Sequence, residues 1–197
     1  MIKQKLSRYC MLAIFSFFAI SGNVLNAQSL KINPKTFSMT IFGTTNVHDF
    51  QSKVTQASGE LVINSAKQAQ SLVVEIAVKS IKSGEKLMDT KTYETFHADK
   101  YPMITFKMTD ASSLQVNGND ISVTVTGNLT MGGATKKIAI KATGKILKPG
   151  VYQFKGNVAL KMTDFKMSPP TAMLGVMKVG DAVTLKYDVT FEGPAIN

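Results

Sequence analysis

The chain has one cysteine, Cys10, and one arginine, Arg8, and neither residue type recurs after position 10. A lone leader thiol excludes a disulfide framework and thiol chemistry in the rest of the chain. The missing arginines argue against nucleic-acid and bidentate phosphate recognition, which favour a planar fork matched to two oxygens. Acidic residues are scarce, 13 against 23 basic ones, for a formal charge of +10. Beyond Ala27 the balance is 20 lysines against those 13 acids, a formal +7. The lysines alternate with apolar residues along the chain, as on a solvated outer face rather than a dedicated anion site. With two histidines and no cysteine beyond the leader, a closed zinc site is not expected. Past the N-terminus, no stretch approaches the roughly 20 apolar residues of a membrane helix.

The N-terminus carries an export signature. Lys3, Lys5 and Arg8 give a basic start, Met11 to Ile20 an apolar run, and Leu25-Asn26-Ala27 a small-residue cleavage site. Residues 1–27 therefore read as a signal peptide and 28–197 as one exported domain of about 170 residues, periplasmic or secreted. Cys10 precedes the apolar run instead of standing at the cleavage point, so a lipoprotein anchor is not expected. No linker, charge block or repeat divides the remainder; Lys-Met-Thr-Asp at Lys107 and again at Lys161 reads as two similar strand ends.

Period-two alternation dominates the chain beyond the leader. Leu72, Val74, Ile76 and Val78 share one face, as do Ile104, Phe106 and Met108, and Ile121, Val123 and Val125. The same pattern sets Ile138 and Ile140 against Lys137 and Lys141, and Val158, Leu160 and Met162 against Lys161. Val183, Leu185, Tyr187, Val189 and Phe191 form the last apolar face, and Phe37, Met39 and Ile41 the first; Glu60 to Ile63 is less clear. Asn117-Gly118, Gly132-Gly133 and Lys148-Pro149-Gly150 supply turns. Short connections imply antiparallel neighbours, and eight or nine one-sided strands hide their apolar faces in a sandwich or a closed barrel. An eight-stranded barrel encloses either a packed core or one small ligand.

Alternation stops between Lys82 and Tyr101. There Leu87, Lys91 and Glu94 or Thr95, and beside them Met88, Thr92 and Phe96, fall at helical spacing. Pro102 is expected to end this helix by holding Tyr101 extended, and a strand begins at once. A short helix beside a barrel mouth would act as a lid or plug.

Several landmarks share an order and spacing. They are Gly43-Thr44-Thr45-Asn46-Val47-His48-Asp49-Phe50; Ala98-Asp99-Lys100-Tyr101-Pro102 before Ile104-Thr105-Phe106; Gly127 to Lys136; Met162-Thr163-Asp164-Phe165; and Val179 to Leu185. Together they resemble the YceI-like family of exported polyisoprenoid-binding proteins. The resemblance covers essentially the whole chain after the leader. It implies an all-β fold, a single antiparallel eight-stranded lipocalin-like barrel with a short helical segment near residues 84–100. It also implies an elongated apolar interior for an isoprenoid chain, such as a quinone tail, a prenol or another long-chain lipid. One departure concerns the helix: Asp89 and Lys91 stand where many relatives carry an Arg-Asp-rich start, so arginine-dependent recognition of a head group is not expected.

On that reading the ligand-binding wall is Ile76, Val78, Ile104, Phe106, Val123, Val125, Ile140, Leu160, Met162, Phe165, Leu185 and Tyr187, with the Lys82 to Tyr101 segment gating one end. Phe165, Met167, Met173 and Leu174 are expected near a mouth. Met162, Met167, Met173 and Met177 could suggest copper(I), but their irregular spacing suits apolar lining better. His48 and Asp49 are adjacent, so in extended chain they point to opposite faces, and a turn role is preferred over a catalytic pair. His97 and Asp99 read as cap or mouth hydrogen-bonding groups. No nucleophile motif such as G-x-S-x-G is present, and Gly132-Gly133 lacks the context of a nucleotide loop. The expected function is a non-enzymatic carrier without cofactor or metal, with a lipid partner, no nucleic acid, no stable membrane insertion and a homodimer allowed. The alternative is a ligand-free barrel serving as a partner-binding scaffold in envelope stress or adhesion.

Overall fold

The computed structural model describes residues 27–195. The export signature up to Asn26 lies outside the described residues. Strands are β1 (Ala27–Ile32), β2 (Ser38–Thr45), β3 (Asp49–Val54), β4 (Ala57–Asn64), β5 (Gln68–Ala77) and β6 (Ile81–Lys82). After the helix α1 (Lys86–Thr95) come β7 (Met103–Met108), β8 (Ser112–Ser113), β9 (Gln115–Asn117), β10 (Asp120–Met131), β11 (Ala134–Lys148), β12 (Val151–Lys161), β13 (Thr171–Ala172) and β14 (Met177–Glu192).

These strands make eight staves. Three staves are bent double strands: β1 runs on into β2, β3 into β4, and β5 into β6. Within the first bend the Asn33 N–H donates to the Thr190 carbonyl at 2.8 Å, and the 3-10 turn Val78–Ser80 makes the third. Each stave pairs antiparallel with the next: β1/β2 with β4/β3, these with β5/β6, then β7, β10, β11, β12 and β14. β14 returns to β2 and, at Lys31–Glu192 and Ile32–Phe191, to β1, closing an all-β up-and-down barrel of eight staves. The turns fall where the glycines stand. Gly132 and Gly133 (φ 57° and 82°) join β10 to β11 in two residues, and Gly150 (φ 77°) turns β11 into β12.

Four expectations need correction. The alternation missed β1, whose apolar inward face is only Leu30 and Ile32, and β3, where Ser52 interrupts Phe50 and Val54, and it gave only the middle of β11. The helix spans Lys86–Thr95 and stops well before Pro102. What stops it is His97, whose left-handed backbone (φ 50°) ends the α ladder in a turn. Val78 does not continue the face of Ile76, because the 3-10 turn rotates it out of the ladder.

The interior has two zones. At the end where β14 finishes, Leu30, Ile63, Ile121 and Tyr152 are buried and fill the barrel, with Phe154 and Phe191 meeting edge to face at 6.2 Å. Toward the α1 end the inward residues of β11 and β14, such as Ile138, Ile140, Val183 and Leu185, are only partly buried although they face inward. That is the signature of a hollow interior.

Candidate functional site

The hollow is an apolar cavity of about 350 Å³. Its blind end is closed by Ile32, Leu61, Ala69 and Leu114, the last carried on the β8–β9 connection and anchored by its N–H to the Lys67 carbonyl at 2.9 Å. Along β14 its wall runs from Met177 to Phe191. At ~3.3 Å per residue and a tilt near 40°, that is roughly 35 Å along the barrel axis.

Ten of the twelve residues expected in the wall line it: Ile76, Ile104, Phe106, Val123, Val125, Ile140, Leu160, Met162, Leu185 and Tyr187. Val78 and Phe165 do not, although both are almost wholly buried. Val78 is turned aside by its 3-10 turn, and Phe165 is folded under the turn Thr163–Phe165 at the end of β12. Sequence reasoning missed the contribution of β3: Phe50, Ser52 and Val54 face the cavity. Their period-two spacing was the available signal, hidden by a serine at the middle inward position.

Polar groups in the wall are concentrated at one end. Ser52 and Tyr187 lie within it, whereas Thr45, His48, Glu85, Lys91, Thr92 and Thr95 surround the α1 mouth. Both helical stripes face this opening, through Leu87, Lys91 and Thr95 and through Met88, Thr92 and Phe96. The opposite side of α1 is moored. Asp89 Oδ1 accepts from the Ser83 N–H and Oγ, each at 2.7 Å, and the Tyr93 hydroxyl meets the carbonyls of Lys79 and Ile81 at 3.1 Å. Burial would by itself raise Asp89, but the Ser83 hydrogen bonds and the Lys82 charge outweigh it and hold the carboxyl below its ordinary value. Met162, Met167, Met173 and Met177 all line the same end, as adaptable apolar surface. Leu174 is fully exposed on the mouth loop.

His48 and Asp49 part as the extended backbone requires: His48 borders the cavity and Asp49 does not. The His48 carbonyl accepts from the Thr45 N–H at 2.9 Å, which makes it a turn residue. Asp99 pairs with Lys79 at 2.8 Å. Two of the sequence landmarks meet in space. Thr163 donates its N–H and hydroxyl to the Asp181 carboxylate at 2.9 and 2.7 Å, and these bonds hold Asp181 below the usual carboxylate range. Likewise Gly133 lies against the Tyr101 ring.

A family model described as "YceI-like domain" matches residues 26–191. The chain belongs to the YceI-like family. Among solved structures, its YceI-like barrel is similar to Burkholderia cenocepacia BcnA at 22% identity and TM-score 0.64, over 81% of this chain and 98% of that one. It is also similar to a polyisoprenoid binding domain from Saccharophagus degradans implicated in plant cell wall breakdown (15%, TM-score 0.66, 86% and 99%). The Campylobacter jejuni YCEI protein is a third likeness (22%, TM-score 0.59, 72% and 84%). At these identities the likeness is one of fold. No curated protein sequence matches. In YceI-like terms the landmark segments do two jobs: Asp181 and Tyr101 hold the barrel end together, while Phe50, Ile104, Phe106, Met162 and Leu185 of the same segments face the cavity.

Proposed function

We propose that this YceI-like protein is an exported, non-enzymatic carrier that holds the chain of an isoprenoid or another long-chain lipid in its barrel. The observation that carries this reading is the long one-ended apolar cavity, with its polar groups gathered at the α1 mouth. A lipid would lie with its chain toward Ile32 and Leu114 and its head beside Lys91, His48 and Thr95. The ligand named for the Saccharophagus degradans domain supports the same class of cargo. Export rests on the N-terminal signature.

Energetics constrain the selectivity. An isoprenoid of about 40 carbons at ~0.8 kcal/mol per carbon would gain ~30 kcal/mol against water, above the ~20 kcal/mol ceiling for affinity. The competing state is a membrane, itself apolar, so the net preference must come from chain length, shape and head-group hydrogen bonds. Selection is therefore by size more than by functional group. A scaffold without ligand would need an interior filled by side chains, and the hollow zone weighs against it.

The test is solvent extraction and mass spectrometry of the protein purified without detergent from its own host. A stoichiometric isoprenoid or other long-chain lipid supports the carrier. Well-folded protein devoid of lipid would move the reading to a partner-binding scaffold.

A further inference from the structure

The barrel wall has a seam. β10 pairs with β11 along its whole length, from Asp120–Lys145 to Met131–Ala134, and β12 pairs with β14 from Val151 to Lys161. Between β11 and β12, however, the ladder runs only from Lys148–Val151 to Thr143–Lys155. Beyond that point both strands continue, β11 through Ala142 to Ala134 and β12 through Gly156 to Lys161, with no pairing between them. Six residues of β12 at ~3.3 Å each give an opening roughly 20 Å long.

The seam reaches the interior. A surface depression over it is lined by outward residues such as Lys141, Asn157 and Ala159, and also by Val123, Ile138, Val158 and Leu160, which line the central cavity. Its ends are fastened. The Tyr187 hydroxyl donates to the Lys141 carbonyl at 3.3 Å near the lower end, and a 2.6 Å ion pair joins Lys136 to Asp164 above. Among the described residues no strand pairs with either edge along this stretch.

Two uses of an unpaired edge are a partner strand and a passage. Lys137, Lys141 and Lys161 on the outer faces of the two edges are the charged guard that discourages strand addition, whereas the inner lips are apolar. Resting on the carrier reading, we infer that the β11–β12 seam is a lateral portal through which the lipid chain enters and leaves sideways. The head remains at the α1 mouth. Sideways passage spares a long chain from being threaded end-on beneath the helix.

The test closes the seam and leaves the mouth alone. A Lys141→Cys, Asn157→Cys pair sits where the ladder would continue and, once oxidised, bridges the edges; Thr143→Cys, Lys155→Cys is the control within the paired ladder. Ala159→Trp, at an outward position that does not line the cavity, covers the seam without a cross-link. Uptake of a head-labelled long-chain prenol from phosphatidylcholine vesicles is followed by fluorescence. The inference expects uptake to slow at least tenfold in the oxidised seam pair and in Ala159→Trp, with recovery on reduction of the pair and no change in the control. Unchanged rates with the seam bridged or covered overturn it and route the chain through the mouth. Absence of uptake by the unmodified protein would overturn the carrier reading and the portal with it.

Discussion

The Tyr187 hydroxyl reaches across Gly156 to the Lys141 carbonyl, so that a side chain from β14 supplies a hydrogen bond that β12 does not. A β-carbon at position 156 would collide with the tyrosine ring. Gly156 thus makes room for the ring, and the ring supports the lip of the seam. Tyr187→Phe removes that one bond and should cost about 1 kcal/mol. Hydrogen exchange should quicken at residues 138–142 of β11 while β10 and β14 stay protected. Uniform exchange across the barrel would refute this local role.

Tyr187 also sets a pH dependence. Burial pushes its phenol up to about 12 from the ordinary 10.0. Between those values the folded protein keeps a proton that the unfolded chain releases, so this residue's contribution declines as pH rises through 10 to 12 and is level below that window. Lysines titrate in the same range, so the comparison is between wild type and Tyr187→Phe. The difference in their melting temperatures should drift with pH only above about pH 10. A constant difference would remove the assignment.

At the mouth, Asp89 gives the opposite sign. Its carboxyl lies below the ordinary 3.8 because Ser83 and Lys82 outweigh the burial that would raise it. The stabilisation is present above the unfolded value and is lost as pH falls through the folded one. Acid, or Asp89→Asn at neutral pH, should therefore loosen residues 83–95 before the barrel opens. Exchange rates in α1 matching wild type would contradict the mooring.

Val123→Lys places an ammonium in the apolar wall, where Val123 is 9% exposed. The substitution should lower stability by about 3 kcal/mol and abolish lipid uptake, whereas Ser58→Lys, exposed on β4 and lining neither the cavity nor the seam, should leave both nearly unchanged. Uptake retained by folded Val123→Lys protein would place the ligand elsewhere.

Gly133→Ala forces a left-handed residue (φ 82°) and drives a methyl into Tyr101, while Gly84→Ala meets the same backbone problem (φ 91°) with nothing within 4 Å. Urea denaturation should show a loss of about 1–2 kcal/mol for Gly84→Ala and more for Gly133→Ala. Equal losses would mean that Tyr101 moves aside freely.

Much of this architecture was readable along the chain. Alternation in Ile121, Val123, Val125 or in Val183, Leu185, Tyr187 fixes which side chains face inward, and Gly132-Gly133 fixes where β10 turns, because both are properties of neighbouring residues. The position of α1 followed from the same local loss of alternation. Val78 escaped because it obeys the pattern until a 3-10 turn changes its direction, and Phe165 because it stands past the end of β12 on another 3-10 turn, out of phase with Val158, Leu160 and Met162.

The amino-acid sequence by itself therefore determined most of the long strands, their inward faces, the tight turns and the family landmarks. Only the tertiary structure decided that identical alternation makes a packed end at Leu30 and Ile63 and a hollow at Ile138 and Leu185, because filling depends on side chains meeting across the barrel. The seam belongs to that second class. β11 and β12 carry unbroken strand patterns past Thr143 and Lys155, and pairing there is set by the course of two whole strands around the closed wall, a relation between distant residues that no local pattern encodes.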